Sequence, residues 1–219
     1  MSIQDYNEAI RLDPQLALAY NNRGNAYNDL GQYQKAIQDY NEAIRLDPRQ
    51  APVYSNRGLC YRNLGQYRRG IEDYDEAIRL DPHLAVAFFN RGNVYQKLGQ
   101  YQQAIEDYGE AIRLEPQYST AYLNRGVTYS RDLGLHERAI QDFDRAIRLD
   151  PLDVRAYQSR GVAYAASGQN RRAVQDYDEA IRLDPELARA YRSRAKSYNV
   201  LGEDEQARHD VDRAVVAEH

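Results

Sequence analysis

The 219-residue sequence has no tryptophan, one cysteine, one methionine, three phenylalanines and four histidines, and each shortage closes off a class of explanation. The lone Cys60 rules out an intramolecular disulfide and any cysteine-based metal cluster, so nothing in the chain calls for an oxidising compartment. His83, His136, His209 and His219 are scattered, and no pair has helix spacing with another zinc-type ligand. The glycines stand singly, without the glycine-rich loop that cradles phosphate. No metal, cofactor or catalytic centre is therefore expected. No apolar stretch approaches the roughly 18 uncharged residues that cross a bilayer. The opening MSIQDYNEAI lacks both the basic and the apolar segment of a secretory signal. Basic residues are not in surplus either: 29 Lys and Arg face 33 Asp and Glu, a formal charge of −4. That balance argues against a surface devoted to nucleic acid or anionic lipid. A cytoplasmic molecule without membrane or nucleic-acid partners is expected.

What the chain does have is repetition. Pro14, Pro48, Pro82, Pro116, Pro151 and Pro185 follow one another at intervals of 34, 34, 34, 35 and 34 residues. A fixed period in that range means a stacked array, whose units are better counted than its domains. Within one unit Tyr20, Gly24, Tyr27 and Leu30 step by three or four, the spacing of one helix face. Gly31 then supplies a tight turn. Ala36, Ile37, Tyr40, Ala43, Ile44 and Leu46 give a second amphipathic helix, until Pro48 biases Asp47 out of helical geometry. With 20 tyrosines among so few other aromatics, the large seam positions are mostly tyrosine, their rings buried and their hydroxyls at the edge.

Tyr20, Gly24, Tyr27, Leu30, Gly31, Tyr33, Ala36, Tyr40, Ala43, Leu46 and Pro48 return in the next copy as Tyr54, Gly58, Tyr61, Leu64, Gly65, Tyr67, Gly70, Tyr74, Ala77, Leu80 and Pro82. This pattern resembles the tetratricopeptide repeat (TPR) over essentially the whole chain. The resemblance implies an all-α fold, a right-handed α-solenoid or superhelix of antiparallel helix-turn-helix units. The units read as a half repeat at residues 1–16, repeats at 17–50, 51–84, 85–118, 119–153 and 154–187, and a terminal repeat or cap at 188–219. The half repeat aligns with a second helix alone, which suggests a fragment of a longer array. It leaves Ile3, Tyr6 and Ile10 without the helix that would cover them. The repeat at 119–153 carries one extra residue between Tyr129 and Leu133, so a lengthened or bulged helix end is expected there. Glu218 and His219 read as the remnant of a purification tag.

One departure from the family is systematic. Arginine stands where its leucine precedes the first glycine, at Arg23, Arg57, Arg91, Arg125, Arg160 and Arg194. Each has an aspartate sixteen or seventeen residues later, at Asp39, Asp73, Asp107, Asp142, Asp176 and Asp210, on the facing helix of the same unit. Ion pairs across the helix contact are expected, since partly buried charges are rarely left unpaired.

The resemblance implies that first helices line an inner, concave face, which supplies the candidate site. Asn22, Asn56, Asn90 and Asn124 form a column just before those arginines, similar to the asparagine ladder of the O-linked N-acetylglucosamine transferase repeats. There the amides hold a peptide backbone, a task that suits a group with both donors and an acceptor. The other reading is that these amides bridge neighbouring helices. Further inner-face positions are Asn25 and Asn93, then an apolar middle at Phe89, Leu123 and Val127, then a basic end at Arg155, Arg189, Arg192 and Lys196. Such an end suits an acidic segment or a terminal carboxylate. The expected function is a non-enzymatic scaffold that binds an extended peptide segment of a partner protein. Two alternatives stand beside it: a self-assembling structural module that stacks end to end through its uncovered N-terminal half repeat, with self-association through the termini, or service as the recruiting arm of a larger enzyme.

Overall fold

The computed structural model describes residues 2–217, and the reading of Glu218 and His219 as a tag lies outside them. Thirteen α-helices and no strand are found among these residues. The chain divides into two compact units, Met1–Pro116 and Gln117–His219. The first holds α1 (Ile3–Leu12), α2 (Ala17–Asp29), α3 (Tyr33–Leu46), α4 (Ala51–Asn63), α5 (Tyr67–Leu80), α6 (Ala85–Lys97) and α7 (Tyr101–Leu114). The second holds α8 (Ser119–Val127), α9 (His136–Leu149), α10 (Val154–Ala166), α11 (Asn170–Leu183), α12 (Ala188–Leu201) and α13 (Asp204–Val216).

Each repeat is a hairpin of consecutive helices, and its ends lie where the residue chemistry predicts. Asp47, before Pro48, is extended at φ −141° and ψ 96°, and its amide still bonds the Ala43 carbonyl. Gly31 closes the first helix at φ +69°, a conformation in which a Cβ is strained; Gly65, Gly99, Gly134, Gly168 and Gly202 repeat it. The unaccompanied α1 is capped by Ser2 and Asp5, each side chain bonding the other's backbone amide. It packs against α2, leaving Ile3, Tyr6 and Ile10 half-buried and Leu12 exposed.

The core of a hairpin is one buried ring laid on one glycine. Tyr40 is almost fully buried among Ala36, Ala43, Val53 and Cys60. A Cβ built on Gly24 would lie 2.7 Å from its ring, closer than real contacts allow. The sequence suggests that Gly24 admits the small Ala36 and Ala43; in the structure it admits the Tyr40 ring. The terminal repeat confirms the logic, since Ala195 fills the glycine slot where Val211, half exposed, replaces the tyrosine.

The extra residue of the fourth repeat produces a π-helical segment, Thr128–Asp132, continuing α8. It widens the last turn without breaking the hairpin, since the Leu135 amide still bonds the Tyr129 carbonyl at 2.7 Å, as Gln32 bonds Tyr27 at 2.8 Å.

First helices of neighbouring repeats touch one another directly: α2 meets α4 and α4 meets α6 in the first unit, and α10 meets α12 in the second. Within each unit their side chains are the ones placed to share a surface.

Candidate functional site

The arginine column is structural in all six repeats. Arg57 donates from Nε and Nη2 to the two carboxylate oxygens of Asp73 at 2.9 and 2.6 Å, and Arg23–Asp39, Arg91–Asp107, Arg125–Asp142, Arg160–Asp176 and Arg194–Asp210 share this two-pronged geometry. In five of the six the third nitrogen also reaches the preceding second helix, Arg125 being the exception because Gly109 stands at the matching position. Arg23 reaches Asn7 and Arg57 reaches Asn41, while Arg91, Arg160 and Arg194 reach Asp75, Asp144 and Asp178. Burial alone would lower the Arg91 pKa, but Asp107 and Asp75 outweigh it and hold the guanidinium charged. These arginines are therefore engaged within the array and are not a ladder of anion sites.

Asn22, Asn25, Asn56, Asn90 and Asn93 each bond another side chain of the array. Asn25 Oδ1 accepts from the Tyr40 hydroxyl at 2.7 Å and from Asn56 Nδ2 at 3.0 Å, so Asn25 and Asn56 tie a seam between repeats together. Asn93 accepts from the Tyr108 hydroxyl at 2.8 Å. Asn90 is buried and accepts a long 3.4 Å bond from Arg62, and Asn22 accepts one of the same length from Asn21. The bridging role thus accounts for Asn25, Asn56 and Asn93. A signal for it is present in the sequence: where valine replaces the asparagine, at Val127, the facing Tyr becomes Phe143, which has no hydroxyl to satisfy. Leu59 and Val162 break the rule, since Tyr74 and Tyr177 keep their hydroxyls, and the buried Tyr74 hydroxyl has no partner among the described residues. Tyr177 instead bonds Ser193, with burial pushing its phenol up to about 12.

The basic and apolar residues of the second unit converge. Leu123, Asn124 and Val127 of α8, Arg155 of α10 and Arg189 of α12 line one cavity of about 310 Å³. Gln158, Ser159 and Val162 of α10 complete the same wall. Three further lining residues escaped the sequence reading: Phe143 forms apolar floor, and Ser130 and Arg131 enter from the π segment. The floor is apolar and the rim cationic. Arg155 is paired with Asp153 at 2.8 Å, and Arg131 with Asp132 at 2.8 Å, whereas Arg189 is exposed and has no carboxylate partner among the described residues. Arg192 and Lys196, farther along α12, are exposed but do not line the cavity. Phe89, in the first unit, is half-buried against the Tyr108 ring at 6.0 Å between centroids.

No group of metal-binding side chains exists among the described residues, and none of their helices is long and apolar enough to cross a membrane. Cys60 is buried against Asn28, and burial pushes its thiol up to about 12, so it is a packing residue.

Helix pairs of one period, stacked in register and locked by a repeated arginine clamp, define an all-α solenoid repeat protein. Residues 17–50, 51–84, 85–118, 119–151 and 143–175 match the tetratricopeptide repeat, and residues 2–30 and 161–202 match the TPR repeat. The chain belongs to the tetratricopeptide repeat family. No curated protein matches it. Among solved structures, MamA is similar at 28% identity and a TM-score of 0.68, over 78% of this chain and 93% of that one. YrrB, a TPR protein with an unusual peptide-binding site, aligns at 24% identity and TM-score 0.69 over 86% of this chain and 97% of its own. PilF of Pseudomonas aeruginosa aligns at 20% identity and TM-score 0.78, over 89% and 88%. The last two likenesses concern the fold alone. Family and neighbours make the chain a protein-interaction scaffold of a typically non-catalytic kind.

Proposed function

We propose that the chain binds an extended, acidic peptide segment of a partner protein along the first-helix face of its second unit. The observation that carries this reading is the cavity itself, where an apolar floor, the Asn124 and Gln158 amides and the unpaired Arg189 meet on three successive first helices. A peptide supplies all three complements: side chains for the floor, backbone groups for the amides and a carboxylate for the guanidinium. Arg192 and Lys196 extend the positive face along α12 and favour further acidic residues. The asparagines of the first unit, Asn25, Asn56 and Asn93, lie outside this cavity.

An array of synthetic acidic peptides, probed with the full chain, tests the reading. Binding should weaken about tenfold with Asn124→Ala combined with Arg189→Ala, and should fall further as salt rises. Bound peptides that ignore both substitutions would sink it.

A further inference from the structure

The fourth repeat alone carries an inserted residue, and the cavity lies against the turn which that residue makes. In the uninserted repeats the first helix remains α-helical to its cap at Leu30, Leu64 or Leu98. Here the backbone widens at Thr128–Asp132 and carries Ser130 and Arg131 into the cavity wall. The widened turn is held by its own side chains. Thr128 Oγ1 donates to the Asn124 carbonyl at 2.9 Å, Ser130 Oγ lies 3.0 Å from His136 Nδ1, and both hydroxyl residues are buried. Single π turns inside α-helices are found frequently at functional sites. The floor beside this one is apolar because Val127 and Phe143 replace the asparagine and tyrosine of other repeats, removing two polar groups together.

We propose that the inserted residue makes this repeat a socket for one bulky apolar side chain of the ligand, with an acidic residue next to it meeting Arg189. The inference rests on the peptide-binding reading above and names what the peptide must carry. A volume of about 310 Å³ is small beside the roughly 300–1,000 Å³ of whole-ligand pockets, which suits a single side chain. Leu123, Val127, Phe143 and Val162 supply the apolar contact, and Arg189 supplies the charge that fixes which way the segment runs.

The test is a selection of random twelve-residue displayed peptides on the full chain, followed by fluorescence anisotropy with labelled synthetic copies. Enriched peptides should share a bulky apolar residue within two positions of Asp or Glu, and its replacement by alanine should cost about tenfold or more in affinity. Deleting Asp132 restores the ordinary period and should abolish that discrimination while leaving the salt-sensitive part of binding. Val162→Phe, at a surface position that threatens the fold little, should do the same by filling the socket. Circular dichroism verifies that each variant remains helical. Full preference for the bulky residue in either helical variant overturns the socket. Peptides weakened by Arg189→Ala yet indifferent to the apolar residue overturn the socket alone. A selection that enriches nothing, or peptides indifferent to both Arg189 and Asn124, overturns the peptide-binding reading with it.

Discussion

Tyr74 should be one of the few buried tyrosines whose hydroxyl is dispensable. Tyr40 and Tyr108 donate to Asn25 and Asn93 at 2.7 and 2.8 Å, but the corresponding position for Tyr74 is Leu59, and its buried hydroxyl has no partner among the described residues. A buried hydrogen bond contributes about 0.5–1.5 kcal/mol net, whereas a buried polar atom left unpaired costs about 1–3 kcal/mol. Tyr108→Phe should therefore destabilise its repeat by about 1 kcal/mol, and Tyr74→Phe should be neutral or stabilise by about 1 kcal/mol. Phe143 shows that a ring without the hydroxyl packs under its glycine in the same way. Because stability in a stacked array is shared out repeat by repeat, the measurement should be local. Native-state hydrogen exchange, reading α5 for Tyr74→Phe and α7 for Tyr108→Phe, separates the two. Leu59→Asn provides the cross-check: in that background Tyr74→Phe should become destabilising, a coupling of about 1 kcal/mol in a double-mutant cycle. If Tyr74→Phe loosens α5 as much as Tyr108→Phe loosens α7, the reasoning about hydroxyl pairing is wrong.

Arg91→Ala strands the Asp107 carboxylate, which is only 6% exposed, and should cost about 3–5 kcal/mol by urea denaturation. The double change to Arg91→Met with Asp107→Leu should recover most of that loss. Gly126→Ala sets a Cβ about 2.7 Å from the Phe143 ring and should destabilise by about 1–3 kcal/mol in thermal melts, while Ala195→Gly, with no ring opposite, should cost at most about 1 kcal/mol. Cys60, its thiol raised to about 12 by burial, should resist alkylation at pH 8 in the folded chain and react fully in denaturant, followed by intact mass.

What could be read in advance depended on how local the determinants were. The prolines and turn glycines act within a residue or two, so the hairpin boundaries follow from Asp47-Pro48 and Gly31 directly. Arg57 and Asp73 were pairable on paper because a sixteen-residue offset joins facing positions of one hairpin and both charges needed partners. The π segment was foreshadowed by one extra residue between Tyr129 and Leu133. Asn56 was not decidable in that way. Its partner, Asn25, lies 31 residues back in the neighbouring hairpin, and which amide it meets depends on how two hairpins nest. The same holds for the basic end: Arg155, Arg189, Arg192 and Lys196 are equivalent as charges, and only packing around the widened turn puts Arg155 and Arg189, but not the others, on the cavity. The exchange of Asn with Tyr for Val with Phe at 127 and 143 was visible throughout, yet its meaning needed the 15-residue contact of Asn25 with Tyr40 to be seen.

The central claim, that ligand recognition resides on the first-helix face of the second unit, is tested most directly by side-chain nitrogen NMR during titration of the full chain with an acidic peptide. The Asn124 amide and Arg189 guanidinium signals should shift in proportion to occupancy, while those of Asn25 and Asn56, bonded to each other, stay in place. Shifts confined to Asn25 and Asn56, with Asn124 and Arg189 unmoved at saturation, would contradict it.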